Sequence, residues 1–141
     1  MSTESNKTAV REMFSAIDAA QSMSPLDSFA AANYAAHFTG AGHLDREGMK
    51  GFGNGFFQAC PGLAHHVEQV VGEGEFVTAR LTIRGRQTQP LMTPAGPLPA
   101  SGKSFEMPVI NMMRFADGKV VEHWSVFDMM GFLQQLGAIP T

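Results

Sequence analysis

The stretch Glu122-His123-Trp124-Ser125-Val126-Phe127-Asp128 closes a run of alternating apolar and polar residues that decides the fold. The same period of two runs from Ser104 to Phe115, and Asp117-Gly118 between the two runs is typical of a tight hairpin turn. Two earlier runs, His65 to Val71 and Phe76 to Gln87, also have the period of a strand. The second half of the chain therefore predicts a meandering antiparallel sheet.

The first half of the chain predicts helices. Apolar residues at the spacing i, i+3, i+4, i+7 mark an amphipathic first helix: Val10, Met13, Phe14 and Ile17. Ser24 before Pro25 predicts the N-cap of a short second helix. Asn33 to Thr39 is a weaker candidate for a short strand.

A third helix is predicted from Asp45 to Cys60, and a short last helix from Met129 to Gly137. The third helix places Met49, Phe52, Phe56 and Cys60 on one face. Its glycines leave an irregular segment as the alternative, because Gly costs about 0.5–1 kcal/mol relative to Ala inside a helix. Proline and glycine between Pro90 and Gly102 predict a loop. Helices followed by a sheet indicate one α+β domain over residues 1–141.

Composition argues against several partners. Only 16% of the 141 residues are charged, the net charge is −3, and the basic residues form no run, so no nucleic-acid partner is expected. No apolar stretch approaches the roughly 20 residues of a membrane span. The lone Cys60 and an N-terminus without a signal-peptide pattern predict a cytoplasmic protein.

Hairpin geometry predicts which side chains share a face of the sheet. A two-residue turn pairs Asn111 with Trp124, Val109 with Val126, and Met107 with Asp128. This register is preferred because it groups Trp124 with the apolar side chains. A three-residue turn with a Gly bulge is the alternative, and it gathers Asn111, His123 and Ser125.

Asp128 is the candidate acid/base residue. A carboxylate at the rim of an apolar wall suits general acid/base chemistry, because desolvation raises its pKa toward the working pH. Trp124 offers a flat surface for a ligand, and the Asn111 amide can hydrogen-bond a carbonyl or enolate. Asp128 also directly precedes a predicted helix, so N-capping is the alternative role.

The closing segment is similar to the SnoaL-like polyketide cyclase (ester cyclase) family, in the group of cone-shaped folds that resemble nuclear transport factor 2. The similar positions are Arg114-Phe115, Asp117-Gly118-Lys119, Glu122, Trp124, Asp128 and Gln134-Gln135-Leu136-Gly137. The resemblance implies a curved antiparallel or mixed sheet packed on the N-terminal helices around a pocket, in a homodimer. It also implies a cofactor-free aldol cyclisation (acid/base chemistry of lyase or isomerase type) of a small hydrophobic carbonyl compound, with Asp128 moving the proton.

One position departs from the family pattern. Where relatives have Gly-Thr-His this chain has Gly85-Arg86-Gln87, and a Gln can hydrogen-bond a carbonyl but cannot titrate. The predicted substrate-binding residues are Trp124, Asn111, Gln87, Met107, Val109, Val126, Phe56 and His43. The histidines lack metal-binding spacing, so no metal is expected. Tyr34 is expected to lie outside the sheet. The alternative function is a catalytically silent ligand-binding or dimerisation domain of the same fold.

Overall fold

The computed structural model describes residues 2–38, 42–93 and 95–141. Its elements, in chain order, are α1 (Thr3–Ala20), α2 (Leu26–Phe29), β1 (Ala30–Phe38), β2 (Gly42–Asp45), α3 (Arg46–Ala59), β3 (Ala64–Glu73), β4 (Phe76–Arg86), β5 (Leu91–Thr93), β6 (Gly96–Leu98), β7 (Ser104–Ala116), β8 (Lys119–Phe127) and α4 (Met129–Gln135). The predicted α+β class is confirmed.

The main sheet has six strands in the order β2-β1-β8-β7-β4-β3. Strand β1 runs parallel to β8, and the other neighbours are antiparallel, so the sheet is mixed. Helix α1 packs on β3 and β4, α3 packs on β1, and α4 packs on β7. The buried side chains of the helices and of the facing strands form one core.

The predicted long elements form close to their expected bounds, and β8 forms where it was predicted. Three short strands were missed: β2 was not predicted, and β5 and β6 form a small hairpin inside the expected loop. The predicted strand end at Thr39 lies outside the described residues. The predicted cap Ser24 is wrong, because α2 begins after Pro25, which makes no side-chain cap hydrogen bond.

Helix α3 is regular despite its glycines. Asp45 caps it, since its side chain accepts a 2.7 Å hydrogen bond from the amide of Gly48. A Cβ added at Gly53 would collide with the side chain of Met23, so this glycine permits a close approach of two elements. The helical interpretation is therefore confirmed over the irregular one, and α3 can form one wall of an interior space.

The β7–β8 hairpin turns as predicted but then changes register. Asp117 and Gly118 both have positive φ angles, as a two-residue turn requires. Beyond it, the extra residue Val121 forms a β-bulge. The pairs past the bulge are Arg114 with Glu122, Met113 with His123, Met112 with Trp124, Asn111 with Ser125, Ile110 with Val126 and Val109 with Phe127.

The predicted pairing of Asn111 with Trp124 is therefore wrong by one residue, and so is that of Val109 with Val126. The three-residue turn is not what forms either. The bulge nevertheless produces the grouping of that alternative, because Asn111, His123 and Ser125 now share the inner face of the sheet.

Candidate active site

An interior cavity of about 90 Å³ lies between the inner face of the sheet and helices α1 and α3. Its walls are mostly apolar, and methionines contribute much of them: Met13, Met23, Met49, Met107 and Met113. Pockets for drug-sized ligands measure about 300–1,000 Å³, so a multi-ring ligand requires the wall to move. Unbranched methionine side chains repack readily, which makes such an adjustment inexpensive.

Four buried polar side chains interrupt the apolar wall of the cavity. We call Tyr34, Asn111, His123 and Ser125 the inner polar cluster. The Tyr34 hydroxyl lies 2.8 Å from Nδ1 of His123, and Nε2 of His123 lies 2.8 Å from Oδ1 of Asn111. The expectation that Tyr34 lies outside the sheet is wrong: β1 carries it against β8, where it reaches the ring of His123.

Burial keeps the cluster uncharged. It lowers the pKa of His123 to about 4, with a smaller contribution from the charge of His37. The neutral ring then has one N–H, which Nε2 donates to the Asn111 oxygen, while Nδ1 accepts from the Tyr34 hydroxyl. Burial also raises the pKa of Tyr34, so it stays a phenol. The arrangement fixes the Asn111 amide, which can hydrogen-bond a carbonyl oxygen.

Only some of the predicted substrate-binding residues line the cavity. Three of them line the cavity together with Asn111: Phe56, Met107 and Val109. Trp124 and Val126 lie on the outer face, because the Val121 bulge shifts them there. Val126 is 63% exposed. His43 is exposed as well, with its ring 5.2 Å from that of His37.

On the outer face, Glu122 and Trp124 form a separate cluster with His37. The His37 ring stacks on Trp124 at 5.8 Å, and its Nε2 lies 3.0 Å from the Glu122 carboxylate. This hydrogen bond, followed by that from Arg114 at 3.4 Å, holds the pKa of Glu122 below its usual range. None of these groups is among the residues that line the cavity, so Trp124 does not form the flat inner wall that was expected.

The Gln87 side chain holds the loop that follows β4 in place through hydrogen bonds. It is buried but does not line the cavity. Its Nε2 donates to the carbonyls of Leu98 and Pro99, both at 3.2 Å, and its Oε1 accepts from the amide of Ser101 at 3.2 Å. These bonds tie the segment that carries β5 and β6 to the end of β4.

Asp128 caps helix α4. Its side chain is exposed, does not line the cavity, and accepts a 2.9 Å hydrogen bond from the Gly131 amide. The geometry thus shows the capping role that the sequence left open. The acid/base role of Asp128 stays a prediction.

No described helix has the length and apolarity that a membrane crossing requires. Within residues 2–38, 42–93 and 95–141, no group of three His, Cys, Asp or Glu side chains is arranged to hold a metal ion. The absence of a cofactor and of a nucleic-acid partner, and the cytoplasmic location, stay predictions.

In this chain a mixed sheet and helices enclose an apolar cavity that contains a small polar cluster. This arrangement is typical of proteins that bind a small molecule in an interior pocket. The chain belongs to the SnoaL-like polyketide cyclase family, whose model matches residues 8–136. Over 74 residues it is 34% identical to aklanonic acid methyl ester cyclase DnrD of Streptomyces peucetius, a match that covers 51% of this chain and 48% of that protein.

Solved structures show the same fold over nearly the whole chain. IdmH from Streptomyces antibioticus is 27% identical, with 94% of this chain and 98% of that chain covered and a TM-score of 0.78. AclR from Streptomyces galilaeus has a TM-score of 0.86 over 99% of this chain and 100% of that chain. At 24% identity, the likeness to AclR concerns the fold alone.

Proposed function

We propose that this chain binds a hydrophobic compound with several carbonyl groups in the inner cavity and catalyses its intramolecular aldol cyclisation without a cofactor. The observation that carries the proposal is the inner polar cluster, which is buried in an otherwise apolar cavity. Membership of the polyketide cyclase family favours this reaction over a catalytically silent binding domain.

The reaction places modest demands on the protein. A base removes a proton from a carbon flanked by carbonyl groups, the enolate attacks a ketone, and the proton returns to the new alkoxide. The Asn111 amide, held by His123, can stabilise the negative charge that develops on oxygen. Apolar walls exclude water, so each such hydrogen bond is stronger than it would be in solution.

Aklanonic acid methyl ester, the compound in the name of the relative, is the first test substrate. We expect the purified chain to convert it to a product of unchanged mass and new chromatographic retention, detected by liquid chromatography and mass spectrometry. Failure to bind the ester and to convert it, with a folded sample, would contradict the proposal for this substrate class.

Two substitutions separate a catalytic role of Asp128 from its role as the N-cap of α4. Asn caps a helix as well as Asp does, so Asp128→Asn is expected to keep the free energy of unfolding within about 0.5 kcal/mol. Asp128→Ala is expected to lose about 1 kcal/mol. We expect Asp128→Asn to convert the ester within about threefold of the natural chain. A loss of more than about a hundredfold at unchanged stability would assign the acid/base role to Asp128.

The outer sheet face supports the expected homodimer. Neighbouring positions on β7 and β8 expose apolar side chains: Ile110 (54%), Met112 (43%) and Val126 (63%). A contiguous exposed apolar patch is typical of a protein interface. We propose that a second copy of the chain covers it.

Val126→Glu is therefore expected to convert a dimer to a monomer, because it buries a charge in the interface. Size-exclusion chromatography with light scattering measures the mass. Met92→Glu is the control, since Met92 is 72% exposed and belongs to the β5–β6 hairpin. A natural chain that is monomeric, or a dimeric Val126→Glu, would contradict the proposed interface.

A further inference from the structure

A second histidine lines the cavity and is paired with a carboxylate. His65, at the start of β3, is among the cavity-lining residues. Its Nδ1 lies 2.6 Å from Oδ1 of Asp18 on α1, and its backbone amide donates to Oδ2 of Asp18 at 2.7 Å. The side chains are only 12% and 22% exposed, so the pair is held on both carboxylate oxygens and largely shielded from water.

The pairing fixes which ring nitrogen of His65 can act. A carboxylate only accepts hydrogen bonds, so the proton of the neutral ring lies on Nδ1 and Nε2 keeps its lone pair. Among the described residues none hydrogen-bonds Nε2. His123 differs, because both of its ring nitrogens are engaged by the inner polar cluster.

We propose that His65, positioned by Asp18, is the base of the cavity; this inference rests on the proposed function. Nε2 of His65 takes the proton from the acidic carbon of the ligand, and Asp18 stabilises the imidazolium that results. The enolate forms a carbon–carbon bond to the ketone carbon, whose oxygen becomes an alkoxide. That alkoxide recovers the proton from Nε2, so atoms and electrons balance without a co-reactant.

The sheet register places the base and the inner polar cluster at different points of one cavity wall. His65 pairs with Ile83 on β4, and Ile83 pairs with Met107 on β7, four residues from Asn111. On a flat sheet the Cα atoms of His65 and Asn111 would lie roughly 17 Å apart, from about 3.4 Å per residue and 4.8 Å per strand. Both side chains point into the cavity, which shortens the distance between their polar atoms. One molecule with several carbonyl groups can therefore contact His65 and Asn111 at the same time.

The Asp18–His65 pair also joins the end of α1 to the start of β3, so a loss of stability alone would not establish catalysis. A chemical-rescue experiment separates the two roles. We expect His65→Ala to lose at least about a hundredfold in conversion of aklanonic acid methyl ester, and to regain part of it with added imidazole. A structural defect would not respond to imidazole.

The neighbouring His66 supplies a matched control, because it is exposed on the same strand. We expect His65→Gln to bind the ester, measured by calorimetry, and to lose at least about a hundredfold in turnover, whereas His66→Gln keeps it within about threefold. Asp18→Asn is expected to lose turnover too. The amide N–H of the new Asn would donate to Nδ1 of His65, so the ring proton would move to Nε2 and Nε2 could no longer accept a proton.

If the natural chain converts the ester and His65→Gln does so within about threefold, His65 is not the base, while the proposed function stands. Loss of turnover in His65→Ala that imidazole does not restore would also overturn the assignment. If the natural chain neither binds nor converts the ester, the proposed function itself fails.

Discussion

Asn111→Leu is expected to lower the conversion of aklanonic acid methyl ester by about 10²–10³-fold, the usual effect of removing one donor to a developing oxyanion. Leucine has a similar size but cannot hydrogen-bond, so the cavity keeps its shape and loses its best carbonyl partner. The substitution also leaves the Nε2–H of His123 without its acceptor, which costs about 1–3 kcal/mol of stability. Turnover and unfolding must therefore be measured on the same sample.

Trp124→Phe is the matched control for Asn111→Leu. The sequence alone paired these two residues, whereas the structure places them on opposite faces of the sheet. We expect Trp124→Phe to keep turnover within about threefold of the natural chain. Comparable losses in both variants would mean that the ligand contacts the outer face, and would contradict the proposed site.

The second large effect is on stability at low pH. The pKa of His123 is about 4 in the folded chain and 6.5 in a free side chain, so the unfolded chain binds more protons between these values. The neutral ring therefore stabilises the fold fully above pH 6.5, and this contribution falls as the pH falls toward 4. We expect a loss on the order of 3 kcal/mol in the free energy of unfolding, measured by urea denaturation at several pH values.

His123→Gln isolates that contribution, because Gln can hydrogen-bond the same neighbours but does not titrate. The carboxylates titrate alike in both proteins, so the difference between the two pH profiles reports on His123. We expect the natural chain to lose more stability than His123→Gln below pH 6.5. Parallel profiles would show that the folded protein binds a proton on His123 as readily as the unfolded chain does.

Sequence patterns identified the long elements because each carries a strong period. The spacing of Val10 and Ile17 predicted α1, and the alternation along β7 and β8 predicted a hairpin with Asp117-Gly118 at its turn. The family resemblance was carried by the same strongly patterned segment, and the family-model match over residues 8–136 confirms it.

The site was harder to predict because one residue decides which side chains face the cavity. Val121 has no partner in the β7–β8 ladder and forms a bulge, and no residue of the turn predicts this bulge. That single insertion sends His123 and Ser125 inward and Trp124 outward. Side chains alternate between the two faces of a strand, so a prediction that misses such a bulge assigns every residue beyond it to the wrong face.

Contacts distant in the chain were also beyond the sequence patterns. Tyr34 meets His123 only because β1 runs parallel to β8, and the pair formed by Asp18 and His65 depends on how α1 packs on β3. The period of two along β3 places adjacent His65 and His66 on opposite faces of the sheet. It gave no sign that His65 had a carboxylate partner 47 residues away.

The central claim, that the ligand binds in the inner cavity, is tested most directly by the methionine methyl groups. Met107 and Met113 line the cavity, whereas Met92, Met112 and Met130 are exposed elsewhere on the chain. In a spectrum of ¹³C-methyl-labelled methionine, assigned with single Met→Leu variants, titration with aklanonic acid methyl ester is expected to shift the Met107 and Met113 signals and leave the exposed ones unchanged. Shifts confined to Met112, Met92 or Met130, with the cavity signals unmoved, would contradict the proposed site.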